Sequence, residues 1–232
     1  MKRTVLVTGA SRGIGLEFVR QYLMTDTLVV ATCRNLVGAS ELMSLGAGAK
    51  GELRVERMDV VDTDSIEDLA KRLKSEGVEL NRLISNAGIS GEERLNRWTS
   101  RNFLDVLNTN SVGPALVAQA FRRVMAPGSV LVNMSSGIGS FALNIFPEGP
   151  LDAYAMSKAA LNMLTIRLAE KFKAWNIGVV AMSPGWVKTD MGGQEATLEV
   201  DESVGKLIAL IDGFGMGDSG RFVSVEGEDI EW

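Results

Sequence analysis

The sequence predicts an α/β protein: one doubly wound parallel sheet of about seven strands, with helices on both faces. Three observations carry that expectation. Short β-branched apolar runs alternate with stretches of helical period along the chain. A glycine-rich turn, Thr8-Gly9-Ala10-Ser11-Arg12-Gly13-Ile14-Gly15, sits between the first strand and the first helix. No linker-like stretch interrupts the 232 residues, so 1–232 reads as a single domain.

The elements follow in order. Arg3-Thr4-Val5-Leu6-Val7 reads as a buried strand, and 16–23 has the apolar spacing of a helix. Residues 28–33 form the second strand, 39–45 a helix or turn, and 53–58 the third strand. Asp62-Thr63-Asp64 supplies start signals for a helix over 65–76. The fourth strand, 80–85, ends in Asn86-Ala87-Gly88. A long helical region over 99–125 is expected to bend near Gly113-Pro114. Residues 129–134 are the fifth strand, 152–175 a long helix, and 177–182 the sixth strand, stopped by Ser183-Pro184-Gly185. A short helix over 203–211 and a strand over 221–225 complete the pattern.

Composition narrows the function classes. The chain is 46% hydrophobic and 23% charged, an ordinary soluble balance. A net charge of −5 and no long basic run argue against nucleic acid or an anionic membrane as partner. The single cysteine, Cys33, excludes an internal disulfide and fits a reducing compartment. Met1-Lys2-Arg3 leads straight into a strand and no apolar run would span a bilayer, so a cytoplasmic location is expected. There is no histidine. That removes Ser-His-Asp and Cys-His catalysis and every His-based metal site, and no metal is expected. Any general acid must be another residue type.

The glycine turn points to a nucleotide. Glycine permits a tight turn and close approach of backbone to ligand. The helix start offers free N–H groups and partial positive charge to a phosphate. The spacing is G-x-x-x-G-x-G rather than the usual G-x-G-x-x-G. A purely structural turn could carry the same glycines, but strand before and helix after favour binding through Gly9, Ser11, Arg12, Gly13, Ile14 and Gly15. An NAD site would place an acid about 20 positions further on. Cys33-Arg34 stands there instead; Asp26 and Glu41 fall before the strand and in the next helix. Arg34, with Arg12, could fork onto a 2′-phosphate, although two solvated surface arginines would look the same. The missing acid and the two arginines together favour NADP(H). Asp59, followed by Val60, could accept from the adenine amino group or serve as a turn aspartate.

Tyr154-Ala155-Met156-Ser157-Lys158 is the second candidate group. On a helix, residues four apart share a face. An ammonium beside a phenol lowers the phenol pKa from about 10. An exposed tyrosine beside a surface lysine is the plain alternative. Only two tyrosines exist, however, and this pair lies downstream of the nucleotide turn.

With these pieces in hand, the chain resembles the short-chain dehydrogenase/reductase family. The family's motifs stand here in order: the glycine turn, Asn86-Ala87-Gly88, Asn110, Ser136, Tyr154-x-x-x-Lys158 and Pro184-Gly185. Pro184-Gly185-Trp186-Val187-Lys188-Thr189-Asp190-Met191-Gly192-Gly193, with Gly220-Arg221-Phe222-Val223 and Trp232, is similar to the branch holding C-factor and the sniffer carbonyl reductase. Ser85 departs from the family, which usually has a second asparagine there. Asn86-Ala87-Gly88 keeps the backbone turn.

The resemblance implies a Rossmann-type fold, NADP(H), and a role for each residue. Tyr154 would protonate the carbonyl oxygen. Lys158 would hold the nicotinamide ribose and lower the tyrosine pKa. Ser136 would hydrogen-bond the substrate oxygen; it is preferred over Ser135 because Ser136-Gly137-Ile138-Gly139 matches the family's S-x-x-G. Asn110 would support a proton-relaying water, or simply bend its helix through backbone bonds. Val187 and Thr189 would fix the nicotinamide carboxamide, with Pro184 and Gly185 leading into them or merely punctuating the strand end. Residues 192–217 would form one wall of the substrate site, and Phe141, Phe146, Trp186 and Met191 would line an apolar pocket or pack as a lid. The expected substrate is a small apolar aldehyde, ketone or quinone. Relatives pair through the helices that here cover 99–125 and 152–175, so a homodimer is expected. The competing reading is a C-factor-like signalling or nucleotide-binding protein without turnover; an alcohol dehydrogenase working oxidatively is a third. The intact Asn110, Ser136, Tyr154 and Lys158 set favours the reductase.

Overall fold

The structure, a computed structural model, describes residues 2–91 and 94–232. Its strands are β1 (Arg3–Thr8), β2 (Thr27–Cys33), β3 (Glu52–Arg57), β4 (Leu80–Ser85), β5 (Met125–Met134), β6 (Gly178–Ser183) and β7 (Phe222–Ser224). Its helices are α1 (Gly13–Tyr22), α2 (Ser40–Ser44), α3 (Thr63–Ser75), α4 (Ser100–Leu107), α5 (Gly113–Phe121), α6 (Asp152–Phe172) and α7 (Val200–Gly213). The strands lie parallel in one sheet of order β3-β2-β1-β4-β5-β6-β7.

The apolar strand runs follow from burial on both faces. Alternate residues of a strand point to opposite sides. Val5 and Val7 therefore pack with Phe18, Val19 and Leu207 of α1 and α7, while Leu6 packs with Ile66, Leu69 and Phe121 of α3 and α5. Each such side chain, fully buried, contributes about 1.5–3 kcal/mol. β2 and β4 divide their side chains between the two layers in the same way. The strand order turns back between β1 and β4. In sheets of this kind ligands bind at that reversal, beyond the carboxyl ends of the strands.

Two expectations need correction. The helical region over 99–125 is three pieces: α4, a π turn at Asn108–Val112, and α5. Thr99 caps α4, its hydroxyl accepting from the Asn102 N–H at 3.1 Å. The break precedes Gly113-Pro114. Pro114 sits in the first turn of α5, where its missing N–H costs nothing. Met125 is not helical but opens β5, four residues earlier than expected. The register against β4 jumps from Leu80–Met125 to Arg82–Val130, and Pro127 and Gly128 fall in that irregularity. A bulge is where an inner strand tolerates proline.

Candidate active site

The glycine turn is braced from the neighbouring strand. Gly9 and Gly13 have φ of 66° and 53°, the left-handed region that favours glycine. A Cβ on Gly15 would lie 2.2 Å from the Gly9 carbonyl oxygen and 2.6 Å from the Asn86 Nδ2. Asn86 Nδ2 donates to the carbonyls of Thr8 (2.9 Å) and Gly9 (3.2 Å). The Thr8 hydroxyl accepts the N–H groups of Asn86 and Ala87, both at 3.0 Å. No side chain caps α1 and no acid stands in its first turn. Its amides and its positive end are thus left to an anion. A cradle that side chains would fill, over an uncapped helix start, fits a dinucleotide pyrophosphate.

The flanking candidates divide. Ser11 and Ile14 lie half-buried in the turn, and Arg12 is exposed with its guanidinium 3.5 Å from Asp190. Arg34 follows β2, is exposed, and makes no ion pair among the described residues. The Asp59 carboxylate accepts the Val61 N–H at 3.1 Å, which is the turn role. Val60 is buried, and a Cβ on Gly113 would lie 2.7 Å from its carbonyl oxygen. Beyond β6 the chain folds over the glycine turn. A Cβ on Gly13 would meet the Thr189 methyl at 3.5 Å. The Thr189 hydroxyl accepts the Gly192 N–H at 3.1 Å, Val187 is buried, and the Pro184 carbonyl accepts the Ser203 hydroxyl at 2.8 Å. Gly185 has φ of 80°.

From Gly88 the contacts run on to the reacting groups. A Cβ on Gly88 would lie 3.3 Å from the Asn110 Oδ1. Asn110, fully buried in the π turn, accepts the Ile89 N–H at 2.9 Å and donates to the Ile89 carbonyl at 2.8 Å. π turns often mark functional sites. Asn110 also donates to the Ser157 hydroxyl at 2.9 Å, which in turn donates to the Tyr154 carbonyl at 2.7 Å. Ser157 was not among the sequence candidates; its signal was its place one residue before Lys158. Thr8 left no signal, since any strand threonine looks alike.

Tyr154 and Lys158 share a face of α6 as expected. The Lys158 ammonium lies 5.4 Å from the Tyr154 ring centroid and donates to the Met134 carbonyl at 2.7 Å. The Ser136 hydroxyl accepts the Ile138 N–H at 3.3 Å and lies near enough to the Tyr154 phenol to act on its pKa. The electrostatics differ from the sequence expectation. Burial pushes the Tyr154 phenol up to about 12, and Ser136 pulls it back. Lys158 does not offset burial there, because a lysine lowered to about 8 is already neutral where a phenol near 12 titrates. Burial lowers Lys158 itself to about 8.

A cavity of about 130 Å³ is lined by Ile138, Asn144, Ile145, Phe146, Asp152 and Ala155 among others, without Tyr154 or Ser136. Phe146 is thus at a cavity, but one with a polar lining. Phe141, Trp186 and Met191 do not line it; they lie exposed at 83%, 53% and 44%. Trp186 instead donates from its indole to the Gly192 carbonyl at 2.8 Å. A larger surface cavity, about 290 Å³ beside Arg20, Leu45 and Lys50, holds none of these groups. Among the described residues no cluster of three or more cysteine, aspartate and glutamate side chains is placed to hold a metal. No helix among them is long and apolar enough to cross a membrane.

This arrangement has known counterparts. The family model described as short chain dehydrogenase matches residues 3–201. The chain belongs to the short chain dehydrogenase family. The C-signal of Myxococcus xanthus is 35% identical over 158 residues, 65% of this chain and 91% of that protein. Among solved structures, an NADPH-bound carbonyl reductase from chicken fatty liver superposes with a TM-score of 0.91 at 37% identity, covering 100% of this chain and 99% of that one. The carbonyl reductase Sniffer of D. melanogaster follows with a TM-score of 0.90 at 31% identity, covering 100% of both chains. The match to the short chain dehydrogenase family spans β1 to β6, with the glycine turn and α6 inside it.

Proposed function

We propose that this protein is an NADPH-dependent carbonyl reductase that reduces small apolar aldehydes, ketones or quinones, with Tyr154 as the acid. The observation that carries the reading is the Tyr154 ring set over the buried Lys158 ammonium, with Ser136 beside the phenol. The likeness to an NADPH-bound carbonyl reductase supports the cofactor and reaction class. When bound, the nicotinamide supplies a hydride. Tyr154 and Ser136 hold the substrate oxygen between their hydroxyls. Tyr154 gives its proton to that oxygen as negative charge develops there. Ser136 keeps its one hydroxyl proton on the substrate oxygen, and the Lys158 ammonium beneath the Tyr154 ring adds positive charge against the phenolate. Asn110 and Ser157 fix the α6 backbone at Tyr154.

The test follows NADPH consumption against a panel of aldehydes, ketones and quinones. Turnover of apolar members is expected; tight NADPH binding without any turnover would leave a nucleotide-binding signal protein in its place. The intact Asn110, Ser136, Tyr154 and Lys158 set speaks for turnover.

Arg34 is expected to select the phosphorylated cofactor. A charged hydrogen bond to the 2′-phosphate is worth about 1.5–3 kcal/mol. Arg34→Ala should weaken NADPH by that amount and leave NADH almost unchanged, as read by fluorescence titration of both nucleotides. Equal losses for the two would remove Arg34 from phosphate recognition.

Leu104 on α4 and Met156, Met163 and Ile166 on α6 are exposed on adjacent helices. This apolar stripe supports pairing of two copies. Light scattering at micromolar concentration should give a dimer mass, and Met163→Glu should give monomer.

A further inference from the structure

The polar ties between β5 and α6 do more than the proposed chemistry uses. Asn162 stands one turn beyond Lys158 and two beyond Tyr154, on the same face. It is 4% exposed in the middle of a helix. An unpaired amide there would be costly, yet both ends are used. Its carbonyl oxygen accepts the Ser135 hydroxyl at 2.5 Å and its nitrogen donates to the Gly139 carbonyl at 3.2 Å. Those two anchors bracket Ser136. The turn they hold (Gly137–Gly139) touches α6 directly: a Cβ on Gly139 would lie 2.7 Å from Lys158 backbone. The residue before Ser135 is Met134, whose carbonyl takes the Lys158 ammonium.

We propose that Asn162 is a positioning residue that fixes the end of β5, with the Ser136 hydroxyl and the Met134 carbonyl, against the Tyr154–Lys158 face of α6. The catalytic part of this inference rests on the carbonyl-reductase reading; the part concerning Lys158 does not. A built-in comparison lies one turn further along. Thr165 ties β5 to α6 in the same way, its hydroxyl accepting from Asn133 at 2.9 Å, but its partner is three residues from Ser136. Lys158 itself faces the Tyr154 ring and donates to the Met134 carbonyl, the one fixed acceptor its buried ammonium has among the described residues.

The experiment compares wild type, Asn162→Ala, Thr165→Val and the double variant Ser135→Ala/Asn162→Leu. The double variant replaces both partners by apolar groups, which can restore stability. The first readout is the Lys158 side-chain titration in cofactor-free protein, followed by NMR of the labelled lysine nitrogen. Both Asn162 variants should titrate at lower pH than wild type, because the ammonium loses its fixed acceptor; Thr165→Val should not shift. The second readout is kcat and KM with NADPH and an aldehyde. A misplacement of the order of 1 Å costs about 100-fold in rate. We expect kcat 10- to 100-fold lower in both Asn162 variants, with nucleotide affinity kept within about twofold, and Thr165→Val near wild type. A kcat that recovers with stability in the double variant overturns the proposal, as does an unchanged or raised Lys158 titration. If wild type reduces no carbonyl, the reductase reading falls and the lysine titration alone decides the role of Asn162.

Discussion

Tyr154→Phe should bind NADPH like wild type and reduce carbonyls about 10²–10⁴-fold more slowly, the usual cost of losing a positioned acid. The substitution removes one hydroxyl and keeps the ring over Lys158. Ser136 loses its phenol neighbour but lies half-buried, within reach of water. Folding and cofactor affinity should therefore survive. Stopped-flow reduction and nucleotide fluorescence on the same sample separate chemistry from binding. A variant that reduces at the wild-type rate would mean that another group delivers the proton. The pH profile adds a second check. Tyr154, pushed up to about 12, stays protonated through the working range. Lys158, lowered to about 8, is an ammonium below that pH and neutral above it. The kcat/KM should be flat below pH 8 and fall above it. The stability linkage of this lysine runs the other way. The folded lysine sits below its ordinary 10.5, so the unfolded chain binds more protons between about pH 8 and 10.5. In that window this lysine makes stability rise with pH. Rate and stability should part company there.

Gly15→Ala should weaken NADPH binding about 10- to 100-fold while the sheet stays folded. The added methyl would stand 2.2 Å from the Gly9 carbonyl oxygen, a backbone atom that no rotamer change can move. The turn, or the start of α1, must shift. Overpacking of this sort costs about 1–3 kcal/mol, and each 1.4 kcal/mol is about tenfold in affinity. Circular dichroism and a nucleotide titration read the two effects separately. Gly217→Ala is the matching control, because nothing lies within 4 Å of a Cβ there. Equal affinities for the two variants would show that the phosphate cradle does not depend on the packing of Gly15.

Most of the architecture was legible because β1, β2, β4 and β6 are buried on both faces and so read as apolar runs. The misplaced start of β5 has a physical cause. Ala126-Pro127-Gly128 carries turn residues, and only the bulge against β4 lets them stay in the sheet. The π turn was invisible, since Asn108-Thr109-Asn110-Ser111 shows neither helical apolar spacing nor a stop. In the site, Tyr154 and Lys158 were legible because helical spacing is a local rule. The balance of their pKa values was not, because burial is set by the whole fold. Asn162 was overlooked although it lies in phase with both, since a lone mid-helix asparagine gives no sign of its partners until β5 is in place.

The Thr8 hydroxyl closes the glycine turn with amides 78 and 79 positions further along the chain. This has a meaning in time. At a synthesis rate of roughly 5–20 residues per second, about 4–16 s pass between the emergence of Thr8 and that of Asn86. During that interval β1, β2 and β3 can already pair, but the turn lacks the amides and the Asn86 side chain that hold it. A ligand stabilises only the state it binds. The nucleotide is therefore no aid to the earliest growing chain, and begins to favour the native form only after the fourth strand has been made.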